Sequence, residues 1–143
     1  MIKVEFRIPG RIGGKARHRT RRSGTTLHSY TPQQTLRDEA LVRSLASQAM
    51  HGHAALRGPV ALSVAIYRTR PASWTKKRKA QALWITGKPD ASNTLKLLED
   101  AMNKIVWDDD AQVAQLQLIR QYKDIDEVVV SVVPLQSDGE HDA

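Results

Sequence analysis

Lys88-Pro89-Asp90-Ala91-Ser92-Asn93-Thr94-Leu95-Lys96 is followed, after one further run of helical periodicity, by Val106-Trp107-Asp108-Asp109-Asp110-Ala111-Gln112-Val113. Gly87-Lys88-Pro89 ends whatever precedes it, because proline removes a backbone donor and restricts the residue before it. A helix is predicted from about Ala91 to Lys104, with Leu95, Leu98, Ala101, Met102 and Ile105 as its apolar stripe. Asn93, Lys96 and Asp100 recur at spacings of three and four and fall on a polar face away from that stripe. Asp90 stands at the mouth of the helix, and the three acids follow its far end. Carboxylate oxygens are preferred ligands of Mg²⁺, so two acidic segments converging on one pocket form a candidate metal centre. Lys96 would add a cation near phosphate charge. A plainer account stays open: Asp90 caps the helix, and the acid run is an exposed turn.

Outward from this stretch, Val113 to Tyr122 and Glu127 to Leu135 read as strands. Asp124-Ile125-Asp126 is a tight connection that predicts a hairpin between them. Upstream, Ser73 is the expected cap of a short basic helix from Trp74 to Trp84, which carries Lys76, Lys77, Arg78 and Lys79. Val60, Leu62, Val64 and Ile66 alternate in a strand after Gly58-Pro59, and Arg68 to Pro71 forms a turn. Leu36, Ala40, Leu41, Leu45 and Ala49 recur at helical spacing through 32–50, with Thr31 as N-cap and Pro32 at the first helical position. Residues 11–30 are rich in Gly and Arg, have no apolar period, and are expected as a mobile basic loop. Lys3 to Ile8 alternates as a strand that Pro9-Gly10 ends. Residues 136–143 are polar and expected to fray. No repeat and no second domain is visible. The pattern predicts one domain over 1–143, α/β of the α+β type, with helices packed on a mixed sheet.

Composition narrows the function classes. The 143 residues suit one domain. The absence of cysteine excludes disulfides, thiolate zinc sites and a cysteine nucleophile. No apolar run approaches the roughly 20 residues that span a bilayer, and the N-terminus lacks a signal-peptide core. A cytoplasmic protein without a membrane partner is therefore expected. Residues 1–80 hold 17 Lys/Arg against 3 Asp/Glu, a net of +14, whereas 81–143 hold 5 against 12, a net of −7. A basic half suits a polyanion, because Lys and Arg release counterions condensed on phosphates. The acidic half makes sense beside a polyanion if its carboxylates hold divalent cations. Charge alone also allows a polarised, solvated surface.

Taken with their spacing, Lys88-Pro89-Asp90-x-x-Asn93-x-x-Lys96, Asp100-Ala101 and Asp109-Asp110-x-Gln112-Val113 resemble the signature of RusA-type Holliday-junction resolvases, in the form found in phage and prophage members. Pro9-Gly10, Lys15-x-Arg17-x-Arg19 and Tyr30-Thr31-Pro32 extend the resemblance over about residues 2–135. It implies a homodimeric endonuclease of DNA recombination and repair that binds four-way junctions and makes paired nicks with Mg²⁺, or Mn²⁺. It also implies catalytic acids at Asp90, Ser92 and Asp110, with Lys96 as the motif lysine. Ser92 departs from the family, since a neutral hydroxyl replaces a carboxylate there. On this resemblance Asp90 and Asp110 are the expected metal ligands, with Asp109 secondary, and phosphodiester hydrolysis by a metal-activated water is the expected reaction.

Lys15, Arg17, Arg19, Arg21, Arg22, Lys76, Lys77, Lys88 and Asn93 are the expected DNA contacts. Helix 74–84 is equally well a solvated basic face. His18 and His28 fit solvated loop positions, and Trp74, Trp84 and Trp107 fit core or interface positions. Two rivals remain at this level: a junction-binding protein made inactive by Ser92, and a basic RNA-binding module whose acid run is only a turn.

Overall fold

Period-two alternation of Val and Ile builds the sheet. The computed structural model describes residues 2–15, 19–24, 26–30 and 32–135, with backbone alone for 19–23 and 26–30. The elements run β1 (Val4–Pro9), β2 (Arg19–Ser23), β3 (Thr26–Tyr30), α1 (Gln33–Ala49), β4 (Val60–Arg68), α2 (Lys76–Gln81), α3 (Ala91–Met102), a 3₁₀ turn (Asp110–Gln112), β5 (Val113–Tyr122) and β6 (Glu127–Pro134). Four strands form one mixed sheet in the order β1-β6-β4-β5, with β4 and β5 parallel and the other pairs antiparallel. Helices α1 and α3 pack on one face and on each other. The α+β fold expected from the sequence is the one observed.

Register places whole rows of side chains on the helix side. Val4, Val132, Leu62 and Leu116 form one row; Phe6, Val130, Val64 and Leu118 the next; Ile8, Val128, Ile66 and Arg120 the third. The β1, β6 and β4 members of these rows are buried. Val42, Ala46 and Met50 from α1, and Leu97, Leu98, Ala101 and Met102 from α3, close the core over them.

Four expectations are corrected. The last two strands do not form a hairpin, because β4 lies between them. Residues 123–126 cross the end of β4 instead, where the Lys123 amide donates to the Arg68 carbonyl and the Thr69 amide to Asp126. Crossing one intervening strand means spanning roughly 10 Å, two inter-strand spacings, which a four-residue link reaches. Next, the stretch expected as a loop contains an antiparallel ribbon, β2 with β3, pairing Arg19 with Tyr30 and Arg21 with His28. Its mobility, residues 16–18 and Thr31, and the tail 136–143 lie outside what the structure describes.

Third, α1 buries Thr35, Asp38, Val42 and Ala46, whereas Leu36 and Leu41 are exposed. The buried polar residue has partners that justify its place: Asp38 accepts from the Gly13 amide at 2.9 Å and from Gln34 at 2.9 Å. Pro32 is the N-cap residue of this helix rather than its first helical residue. Fourth, the basic helix is shorter than expected and is capped by Thr75, not Ser73; the Thr75 hydroxyl accepts from the Arg78 amide.

Candidate active site

Three chain segments meet around α3. Residues 83–85 run antiparallel along the outer end of β5, with Ile85 donating to the Arg120 carbonyl and Tyr122 to that of Leu83. The following turn is held from the sheet: Arg120 Nη2 donates to the carbonyls of Gly87 (2.5 Å) and Pro89 (3.0 Å), and the Lys88–Pro89 peptide is cis. From the other side, the segment after β1 crosses the start of α3, with the Lys15 amide donating to the Asn93 carbonyl at 2.9 Å. Gly14 permits that crossing. A Cβ there would lie 2.8 Å from the Asn93 Cβ and 3.0 Å from the Pro89 Cβ.

Asp90 occupies the N-cap position of α3, yet its side chain caps nothing. It pairs instead with Lys88 at 2.9 Å and stays half exposed. The plain capping role is therefore excluded for Asp90. It does apply to Asp109, which accepts from the Ala111 amide and caps the 3₁₀ turn. Gln112 completes that box: its Oε1 accepts from the amides of Asp108 and Asp109, and its Nε2 donates to the carbonyls of Leu56 and Gly58.

Asp110 is positioned differently. The side chain of Trp107 is fully buried, and its indole N–H donates to Asp110 Oδ1 at 2.8 Å. One carboxylate oxygen is thus fixed by a core residue. The charge of Asp110 also reaches Glu99 on α3. Burial, then Asp110, then Asp100 push the Glu99 carboxyl above the usual carboxylate range, with Lys96 acting against them. Glu99 follows Ser92 by seven residues and Lys96 by three, so all three share one helical face. Sequence reasoning missed Glu99, although that spacing was the signal that pointed to it.

Lys96 is exposed and lies 3.8 Å from Asp100. Ser92 and Asn93 are exposed on the first turn of α3. Lys15 gives its ammonium to Glu39 and, at 3.2 Å, to Asp100. These partners, Glu39 above all, hold it protonated above the ordinary lysine range, so it ties β1's extension to α1 and α3. Lys76 and Lys77 are exposed on α2. The side chains of Arg19, Arg21 and Arg22, and all of Arg17, lie outside the described residues. Of the tryptophans, Trp107 is core, Trp84 is 57% exposed, and Trp74 packs edge-on to Tyr122 beneath Arg78. Among the described residues, no three His, Asp or Glu side chains stand close enough to hold one metal ion. The structure thus brings Asp110 and Lys96 within electrostatic reach of Glu99, and sets Asp90 beside Lys88 at the N-terminal end of the helix.

Residues 9–133 match the family Endodeoxyribonuclease RusA. The chain belongs to the RusA family. Uncharacterized protein YqaN of Bacillus subtilis (strain 168) is a relative, 30% identical over 135 residues that cover 90% of this chain and 94% of that protein. RusA membership supports an endonuclease that resolves Holliday junctions in general. No helix among the described residues is long and apolar enough to cross a membrane.

Proposed function

We propose that this RusA-family chain is a divalent-cation-dependent endonuclease that makes paired nicks in four-way DNA junctions as a cytoplasmic homodimer. One observation carries the proposal: Asp110 is fixed by a buried indole, and its charge acts on the half-buried Glu99, in a chain whose other half is strongly basic. Carboxylates that repel one another with only partial neutralisation suit a cation. Mg²⁺ is commonly held by one or two carboxylates, with waters and substrate phosphates completing its octahedron. Asp110 and Glu99 fit that demand, Asp90 is free of any capping duty, and Asp109 is a weaker donor because its carboxylate is committed to capping the 3₁₀ turn. A bound Mg²⁺ or Mn²⁺ would activate water and neutralise charge on the scissile phosphate.

The protein's own residues supply the rest. Trp107 keeps Asp110 in one orientation. Lys96, exposed beside Asp100, places a cation where phosphate charge develops. Lys88, Asn93, Lys76, Lys77 and the arginines of β2 contact DNA, and such contacts position the strand without reading sequence. Lys15 is the weakest member of the expected set, since its charge is already neutralised. A two-fold dimer matches the symmetry of two equivalent cuts, and the exposed Leu36 and Leu41 of α1 offer apolar surface for it.

Ser92 favours one alternative, a junction-binding protein without cleavage, because the hydroxyl leaves the first turn of α3 one carboxylate short. A nicking assay on a synthetic four-way junction, with Mg²⁺, Mn²⁺ or chelator, separates the two. Paired nicks with metal, lost in Asp110→Asn with junction binding retained, are expected. Tight binding with no nick under any metal would establish the alternative.

A further inference from the structure

The helix-facing rows of the sheet change character at one end. In the third row Arg120 takes the place of an apolar residue, and one row further, two residues on, Arg68 opposes Tyr122. Arg11, from the segment after β1, joins them. Arg11, Arg68, Thr69, Gly87 and Tyr122, with the apolar Pro71 and Ile85, line a cleft of about 100 Å³. That is the space of roughly three waters. Its wall at Gly87 is the start of the Lys88–Asp90 turn, which Arg120 holds.

The charges here do not balance. Among the described residues, Arg68 meets two like charges, Arg11 and Arg120, against one carboxylate, Asp126, and that carboxylate is already engaged. Its Oδ1 accepts from the Thr69 amide (2.7 Å) and hydroxyl (3.1 Å), and its Oδ2 from Arg11 (3.0 Å). Arg68 is left over. Among the described residues its Nε is buried with no acceptor, and its Nη1 reaches the Lys88 carbonyl only at 3.5 Å. Burial, then the like charges of Arg11 and Arg120, push its guanidinium below the ordinary arginine range, against the pull of Asp126. A structural arginine normally satisfies its buried N–H groups. A guanidinium with one unmatched N–H and one long hydrogen bond, beside a cationic cleft, suits an oxyanion.

We propose that this cleft binds one phosphodiester group of the substrate DNA, with Arg68 as its donor and Arg11 and Arg120 adding charge, and that it thereby sets the strand against Lys88–Asp90. The proposal rests on the DNA-nuclease function above and adds a phosphate site distinct from the carboxylates of α3.

Arg68→Gln tests it, with Arg57→Gln as a variant of equal net charge at the opposite end of β4 and Arg68→Lys as a charge-keeping fallback. Binding of a four-way junction is measured in chelator across a salt series. Arg68→Gln should lower the log–log slope by about 0.9, one phosphate contact. Arg57→Gln should leave it nearer the parent, and Arg68→Lys should fall between. Melting is followed in parallel in inorganic phosphate and in chloride at equal ionic strength. Phosphate should raise the melting temperature of the parent above its chloride value, and Arg68→Gln should abolish the difference. In chloride the variant should melt no lower than the parent, since a poorly satisfied charge has been removed.

An unchanged slope in Arg68→Gln, or an equal phosphate effect in parent and variant, overturns the site. Lower stability of Arg68→Gln in chloride assigns Arg68 a structural role and also overturns it. A phosphate effect without a slope change means an anion site that DNA does not use, and likewise overturns the proposal. A parent that binds no junction at all refutes the nuclease function instead, so the two failures are distinct.

Discussion

Trp107→Phe tests the positioning of Asp110 directly. The indole is fully buried and donates to Asp110 Oδ1 at 2.8 Å. Phenylalanine removes that donor and part of the ring. Hydrogen bonds to charged groups contribute about 1.5–3 kcal/mol. Asp110 is half-buried, so water can replace the donor and the lower end applies. The lost ring atoms remove about two buried CH₂ equivalents, at about 0.8 kcal/mol each. The expected loss is therefore about 3 kcal/mol, a large share of the ~5–15 kcal/mol that holds a domain folded. Asp110→Asn keeps an oxygen acceptor and exchanges a charged bond for a neutral one, a loss of about 1 kcal/mol. Urea unfolding of both single variants and the double variant gives the coupling, expected near 1 kcal/mol for groups in direct contact. Trp107→Phe should also shrink the rise in melting temperature caused by Mg²⁺, because Asp110 is freed to rotate. A loss below about 1 kcal/mol in Trp107→Phe, on the scale of a surface substitution, or strictly additive energies in the cycle, would refute the indole as the element that holds Asp110.

Gly14→Val should cost about 1–3 kcal/mol as an overpacked contact, read from the urea midpoint, and should also reduce nicking, since its Cβ displaces Asn93 and Pro89; Gly87→Ala, whose Cβ meets no neighbouring atom and whose φ is not positive, is the stability control for lost glycine. In chelator, stability should fall as pH rises through the raised Glu99 pKa, because the folded state holds that proton more tightly than the unfolded chain. Asp110→Asn should shrink this loss without removing it, burial being the larger cause; an equal slope of stability against pH in both proteins would place Asp110 out of reach of Glu99. Ser92→Asp should lower stability in chelator and enlarge the Mg²⁺-induced melting shift, and an identical shift in both would mean that residue 92 faces away from the cation.

The features legible in the sequence were local ones. Val113–Tyr122 is a strand at its expected bounds, and the helix after Pro89 begins where its periodicity begins. The Asp90–Lys96 spacing was visible because one helix carries it. Pairing was not legible. Asp124-Ile125-Asp126 suits a hairpin and an over-strand crossing equally well, and only the insertion of β4 decides between them. The buried face of α1 was hidden because Asp38 goes inside for tertiary partners, Gly13 among them, while Leu36 and Leu41 remain outside. The ribbon β2–β3 carries no apolar alternation, so no period announced it. Glu99 and Asp110 lie on different elements, and Arg68 and Arg120 on different strands. Their proximity is a product of the fold, and no linear spacing encodes it.

The order of the strands has a consequence for biosynthesis. Among the described residues β1 pairs with β6 alone, and β4 pairs with β5 and β6. A nascent chain that stops short of Val113 therefore contains two strands of the main sheet with no partner for either. Every ladder of that sheet closes only after the C-terminal segment has been made, the kind of long-range pairing that folds slowly and leaves strand edges bare meanwhile. The nuclease centre inherits this timing. Asp110 sits directly before β5, so translation must pass beyond the site before the sheet that holds it can form. A ribosome-bound fragment would carry the basic half and its affinity for polyanions, but no assembled centre with which to cut.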